Sequence, residues 1–150
     1  LEKIKNYSLS NKNIDLITVQ KLTNLAENYN VSELANNFLT KNTKKISKIL
    51  NENNYSEEDC ILILRTILNK TKRLISIKEE CEETKNIDQI IDNFKPPIFW
   101  KDKETVKKQV NAWELRDLKA KMYQINEVET LVKSSSKNAL NLVSDFIVNY

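Results

Sequence analysis

Four sets of side chains in this sequence have types and spacings that could do chemistry. Adjacent carboxylates occur at Glu57-Glu58, Glu79-Glu80 and Glu82-Glu83, and such pairs can serve general acid–base catalysis or hold a hard cation. All three stand in charged, helix-forming context, where a solvated face or a dipole-complementing first turn accounts for them. The run Ser134-Ser135-Ser136-Lys137 sets hydroxyls beside an amine, but no supporting motif surrounds it and it reads as a linker between helices. Cys60 and Cys81 are the two cysteines. On one continuous helix they would stand about 31 Å apart, beyond the roughly 7 Å a disulfide spans, so they read as reduced thiols of a cytosolic protein. The fourth set is Phe94, Phe99, Trp100 and Trp113 beside Lys95, Lys101, Lys103, Lys107 and Lys108. Aromatics interleaved with bases can stack on single-stranded nucleic acid; the same aromatics can instead fasten an irregular loop to a core.

The chain of 150 residues holds 0 glycine and 0 histidine. A glycine-built phosphate loop, dinucleotide turn or nucleophile elbow is therefore excluded, as is any histidine base or zinc ligand. The expectation is no catalytic residue, no metal, no cofactor and no ATP binding. Net charge is +3, from 24 basic against 21 acidic residues, too balanced to announce a nucleic-acid binder. Only Arg65, Arg73 and Arg116 are arginine, the residue that bidentate phosphate or base recognition prefers. The longest strictly apolar run, Cys60 to Leu64, falls far short of the ~20 residues of a membrane span. No signal peptide is visible, and a first residue Leu1 reads as a fragment of a longer protein.

These residues must be positioned by helices. Apolar spacings of three and four recur, and strict alternation is rare. Asp15 can cap a helix with Leu16, Val19, Leu22 and Leu25. Asn30 with Glu33 resembles a capping box ahead of Leu34, Phe38 and Leu39. Asn42 can cap a helix with Ile46, Ile49 and Leu50, which ends over residues 51–55. With glycine absent, asparagine is expected at left-handed C-terminal positions. Ser56, followed by Glu57, Glu58 and Asp59, starts a long helix to about Glu83 that is apolar nearly all round from Cys60 to Leu68, as a central, fully buried helix would be. Asn86 starts a short helix with Ile87, Ile90 and Ile91, and Pro96-Pro97 forces an extended stretch expected to be pinned by a buried aromatic. Asp102 then caps a helix with Val106 and Val110. Leu115, Leu118, Met122, Ile125 and Val128 stripe another, and Leu140, Leu142, Val143, Phe146, Ile147 and Tyr150 mark the last. The fold class is all-α with about eight or nine helices, and the weakest internal boundary lies near residues 26–30.

The order of these features resembles the C-terminal region of the delta subunit of bacterial DNA polymerase III, part of the sliding-clamp loader. The resemblance is carried by Phe94-Lys95-Pro96-Pro97-Ile98-Phe99-Trp100-Lys101, a basic helix, Trp113, the Glu129 and Lys133 pair at i and i+4, and the final apolar helix. Upstream, Leu1 to Ile4 and Asn13 to Leu25 look like the end of that family's small lid domain, and Ser32 to Asn54 like the helices that open its collar. The family's glycines between helices are replaced here by Asn, Ser and Lys.

The resemblance implies residues 1–29 as the end of a lid domain. It implies residues 30–150 as a collar of about six to seven helices in a bundle-like arrangement, with Pro96, Pro97, Phe99, Trp100, Trp113, Glu129 and Lys133 as structural anchors. It also implies partners, namely the loader's ATPase subunits and delta-prime, met through the collar. The clamp would be bound only through an N-terminal module that this stretch does not contain, and DNA contact would be indirect or weak. A bacterial, cytoplasmic location and membership of a DNA-directed DNA polymerase assembly follow with it. A generic helical interaction scaffold and a helical nucleic-acid-binding domain stay open as alternatives.

Overall fold

The computed structural model describes residues 29–149 apart from residue 85, and it is all-α among those residues. Seven α-helices follow in order: α1 (residues 29–39), α2 (Thr43–Glu52), α3 (Glu57–Thr84), α4 (Ile87–Asn93), α5 (Lys103–Ala112), α6 (Leu115–Ser134) and α7 (Ala139–Val148). Two 3-10 turns, Trp100–Asp102 and Ser136–Asn138, precede α5 and α7. The expected lid segment, residues 1–29, lies outside the described residues save its last one, as do the helices expected from Leu1 to Ile4 and from Asp15 to Leu25.

The 28-residue α3 is the longest described helix and the axis of the bundle. Its most extensive partner is α6, and α4, α5 and α7 also pack on it. Two ion pairs fix the sense of the α3–α6 pairing. Arg65 near the start of α3 meets Glu129 near the end of α6, and Glu79 near the end of α3 meets Lys119 near the start of α6, so the two run antiparallel. The buried stripe of α3 is Cys60, Ile63, Leu64, Ile67, Thr71, Leu74, Ile75 and Ile77. The expectation of an all-round buried first half is corrected at Leu62, which is 39% exposed. A helix packed by neighbours on one broad side still leaves a strip for solvent, and Leu62 occupies it. Both cysteines lie on α3, free, with Cys60 buried.

Local signals explain where the helices start. Ser56 Oγ accepts from the Asp59 backbone N–H at 3.3 Å, while the Asp59 carboxylate accepts from the Ser56 N–H at 2.7 Å, a reciprocal capping box with Asp in the third helical position. Asn42 accepts from Lys45 N–H at 3.3 Å and Asn86 from Gln89 N–H at 3.2 Å. Asn30 is not a cap. It already sits in helical backbone, and its amide donates to the Asn53 side chain at 2.6 Å, tying α1 to the end of α2. Asp102 stands at the N-cap of α5 without a side-chain capping bond, because the preceding 3-10 turn already delivers the chain into helical geometry.

The expected left-handed asparagines are also corrected. Asn53 at the end of α2 is extended. The positive-φ residue among those described is Lys41, at φ 55°, where Lys41 N–H donates to Phe38 C=O and Asn42 N–H donates to Asn37 C=O. That is a Schellman closure of α1. Lysine takes the place usually left to glycine, at a steric cost of roughly 1 kcal/mol.

The bundle closes around aromatic rings. Phe38 on α1 lies 6.1 Å from Trp113 and 5.5 Å from Phe146 of α7, centroid to centroid and tilted, geometries that favour ring pairs. Among described helices, none is long and apolar enough to cross a membrane.

Candidate functional site

The expected anchors separate into three places. The first is Trp113, in the short link between α5 and α6. It is buried, its indole N–H donates to the Leu39 carbonyl at 2.8 Å, and the Lys41 ammonium stands 4.2 Å from its ring centre. The tryptophan thus satisfies a carbonyl in the last turn of α1 while filling the core. It ties the α5–α6 link to the end of α1. Its cationic neighbour, Lys41, carries no signal in the sequence, because the contact spans the long stretch between α1 and α6.

The second place is Glu129. Lys133 meets it at 2.7 Å, the i,i+4 partner expected, and Arg65 of α3 meets the same oxygen at 3.2 Å. The Glu129 side chain is 13% exposed. The hydrogen bond from Lys133, reinforced by Arg65 and opposed by burial, holds its carboxyl below the usual carboxylate range. The Glu129–Lys133 spacing is local and legible; Arg65 is a tertiary addition that turns a surface pair into a clasp between α3 and α6.

The third place is the tongue formed by residues 94–102. Its Lys95–Pro96 peptide is cis, Pro96 and Pro97 are exposed, and the stretch is non-helical up to the 3-10 turn at Trp100. The anchor residues proposed here are corrected. Phe99 is 58% exposed and Trp100 68% exposed; the burial is done by Ile98, with Phe94 half-buried against the core. The physical reason is alternation: in extended backbone, neighbouring side chains point to opposite sides, so seating Ile98 turns Phe99 outward. The 3-10 turn that begins at Trp100 carries that ring to the surface as well. The two outward rings lie 5.8 Å apart, and Lys101 stands 5.2 Å from the Trp100 ring.

The root of the tongue rests beside α3. Burial lowers the pKa of Lys70 and of Arg73, and Asp102 in the turn opposes that effect at both. Of the neighbouring lysines, Lys103 is held by Asp92 and Lys107 by Asp88, each at 2.6 Å. They bind α5 to α4 and are not offered to a ligand with the aromatics.

The other sequence candidates are not brought together. Glu57, Glu58 and Asp59 form the first turn of α3. Glu79 is engaged by Lys119. Ser134 ends α6, its hydroxyl donating to the Leu131 carbonyl, and Lys137 is exposed in the following turn. Among the described residues no group of acidic or sulfur side chains is disposed to hold a metal ion.

What the arrangement offers is contact surface. Besides Phe99 and Trp100, the exposed large apolar side chains include Tyr123 and Leu131 on α6 and Leu140 and Val148 on α7. Compared with protein-family models, with curated proteins and with solved structures, the chain finds no match.

Proposed function

We propose that this chain supplies a helical oligomerisation domain to a clamp loader, as the collar of a delta-type subunit of bacterial DNA polymerase III. The observation that carries the reading is the placement of exposed apolar side chains on the last two helices. Tyr123, Leu131, Leu140 and Val148 stand on α6 and α7 at 42–67% exposure, which leaves these two helices apolar surface to offer a neighbouring subunit. Exposed aromatics and aliphatics of this kind are the material of interface anchors. The ordered resemblance from the Pro-Pro tongue through Trp113 and Glu129–Lys133 supports the same reading. In it, the domain joins the ATPase subunits and delta-prime in the bacterial cytoplasm, and the clamp is met elsewhere in the parent protein. The domain does no chemistry itself. It serves DNA replication by holding an assembly together.

Reconstitution tests this. The chain, mixed with cognate ATPase subunits and delta-prime, should co-elute with them in size-exclusion chromatography. Leu131→Asp with Leu140→Asp should abolish co-elution while leaving the helical circular dichroism spectrum and melting transition in place. Absence of affinity for every loader subunit would retire the reading in favour of a general helical scaffold.

A further inference from the structure

A cleft opens between the C-terminal end of α1, the start of α2 and α5, with a volume of about 580 Å³. Four of its lining side chains are Lys41, Lys44, Lys45 and Lys108, the remainder are asparagines and threonines, and it contains no carboxylate. Every charge on its wall is positive and most of its side chains can donate N–H or O–H, the Thr40 hydroxyl and one Asn37 amide proton being already given to α1 carbonyls. Five lysines elsewhere on the molecule, Lys48, Lys103, Lys107, Lys119 and Lys133, each lie within ion-pair distance of a carboxylate, while others, Lys72 and Lys78 among them, have no such partner among the described residues. None of the four cleft lysines has such a partner among the described residues.

The charge continues beyond the cleft. Lys41 also lines an adjoining hollow of about 330 Å³ that holds Lys121 and one carboxylate, Asp117; burial, with the Lys41 charge adding to it, lowers the pKa of Lys121. In the cleft itself four like charges share a wall that has no carboxylate among its lining residues, an arrangement that attracts an anion. Lys41 is moreover fixed, its backbone by the closure of α1 and its ammonium by the Trp113 ring.

We infer that this cleft binds the phosphodiester backbone of a nucleic acid. Lysines act as point charges toward phosphates, and asparagine and threonine side chains are common phosphate donors. Arginine and exposed aromatic rings are absent from the wall, so the contact carries no base stacking or bidentate base reading and is sequence-independent. The inference stands apart from the oligomerisation reading. It rests on the lysines of the cleft and not on the exposed apolar side chains of α6 and α7, and either can fail alone.

Fluorescence anisotropy with a labelled mixed-sequence oligonucleotide, as single strand and as duplex, tests it across salt. Four phosphate contacts predict a log–log salt slope near −2.8 for single strand or −3.6 for duplex, a loss of roughly 50-fold or 150-fold in affinity between about 50 and 200 mM salt. Replacing Lys44, Lys45 and Lys108 together by Gln should cut that loss to roughly threefold. A control with Lys48, Lys72 and Lys137 replaced by Gln has the same net charge and should keep the wild-type slope. Equal losses in both triple variants, or no binding by the wild-type chain, overturns the proposal. Binding that survives the cleft variant and disappears in Trp100→Ala also overturns it, since the ligand would then sit on the tongue. Melting curves of each variant establish that it is folded.

Discussion

Two tryptophans separated by 13 positions in sequence do opposite work, and substitution should show it. Trp113 is 4% exposed with its N–H bonded to the Leu39 carbonyl. Trp113→Ala should cost about 3–5 kcal/mol, from the cavity and the orphaned carbonyl together. Trp100→Ala and Phe99→Ala should each stay within about 0.5 kcal/mol of wild type, as surface changes do. Urea denaturation of the three variants checks this, and a large loss at Trp100 would return the tongue to an anchoring role. Glu129 gives a second test at this scale. Its folded pKa is depressed, so its contribution to stability is fully present above the unfolded value near 4.3 and is lost as pH falls through the lower folded value. The gap in melting temperature between wild type and Glu129→Gln should therefore be widest above about pH 5 and should close on further acidification. A gap that stayed constant from neutral pH to pH 3 would mean that the charge of Glu129 is not what the clasp uses.

At the scale of the element, α3 depends on how it begins. The Ser56–Asp59 box satisfies backbone N–H groups that the first turn otherwise leaves without partners. Ser56→Ala should cost about 1 kcal/mol and Ser56→Asn considerably less, measured by thermal or chemical denaturation. An equal loss in both would show that the hydroxyl serves something other than capping. Along the same helix, Thr71 is fully buried with its hydroxyl unpartnered among the described groups. Thr71→Val removes that unsatisfied group without changing shape, and should raise stability by about 1 kcal/mol. Tyr55, just ahead of α3, likewise keeps a buried hydroxyl without a partner, and burial with help from Asp59 and Glu33 pushes its pKa up to about 12.

For the molecule as a whole, the exposed side chains decide what it can join. In the Trp113→Phe variant Trp100 is the sole indole and should be freely quenched by iodide, as its 68% exposure requires. If loader subunits cover the tongue as well as α6 and α7, quenching should fall on assembly. Unchanged quenching in a formed complex would confine the interface to the last two helices.

The sequence by itself determined the all-α class, because apolar spacings of three and four leave no other regular structure that can bury them. It also determined helix starts such as Asn42, Ser56 and Asn86, since caps act on backbone groups two or three residues away, and the i,i+4 pairing of Glu129 with Lys133. What only the tertiary structure decided lies between residues far apart in the chain. Arg65 joins Glu129 across two helices, Lys41 finds the Trp113 ring, and Lys108 of α5 comes to face Lys44 and Lys45 across one cleft. Local periodicity carries no information about such meetings. The tongue shows the same limit in small compass: its residues announced an extended, aromatic segment, but whether Ile98 or its neighbours turned inward depended on the register in which α3 and α5 received it. The lysine cleft was invisible for a related reason. A lysine-rich chain looks uniformly solvated until the fold shows which lysines meet carboxylates and which are left facing one another.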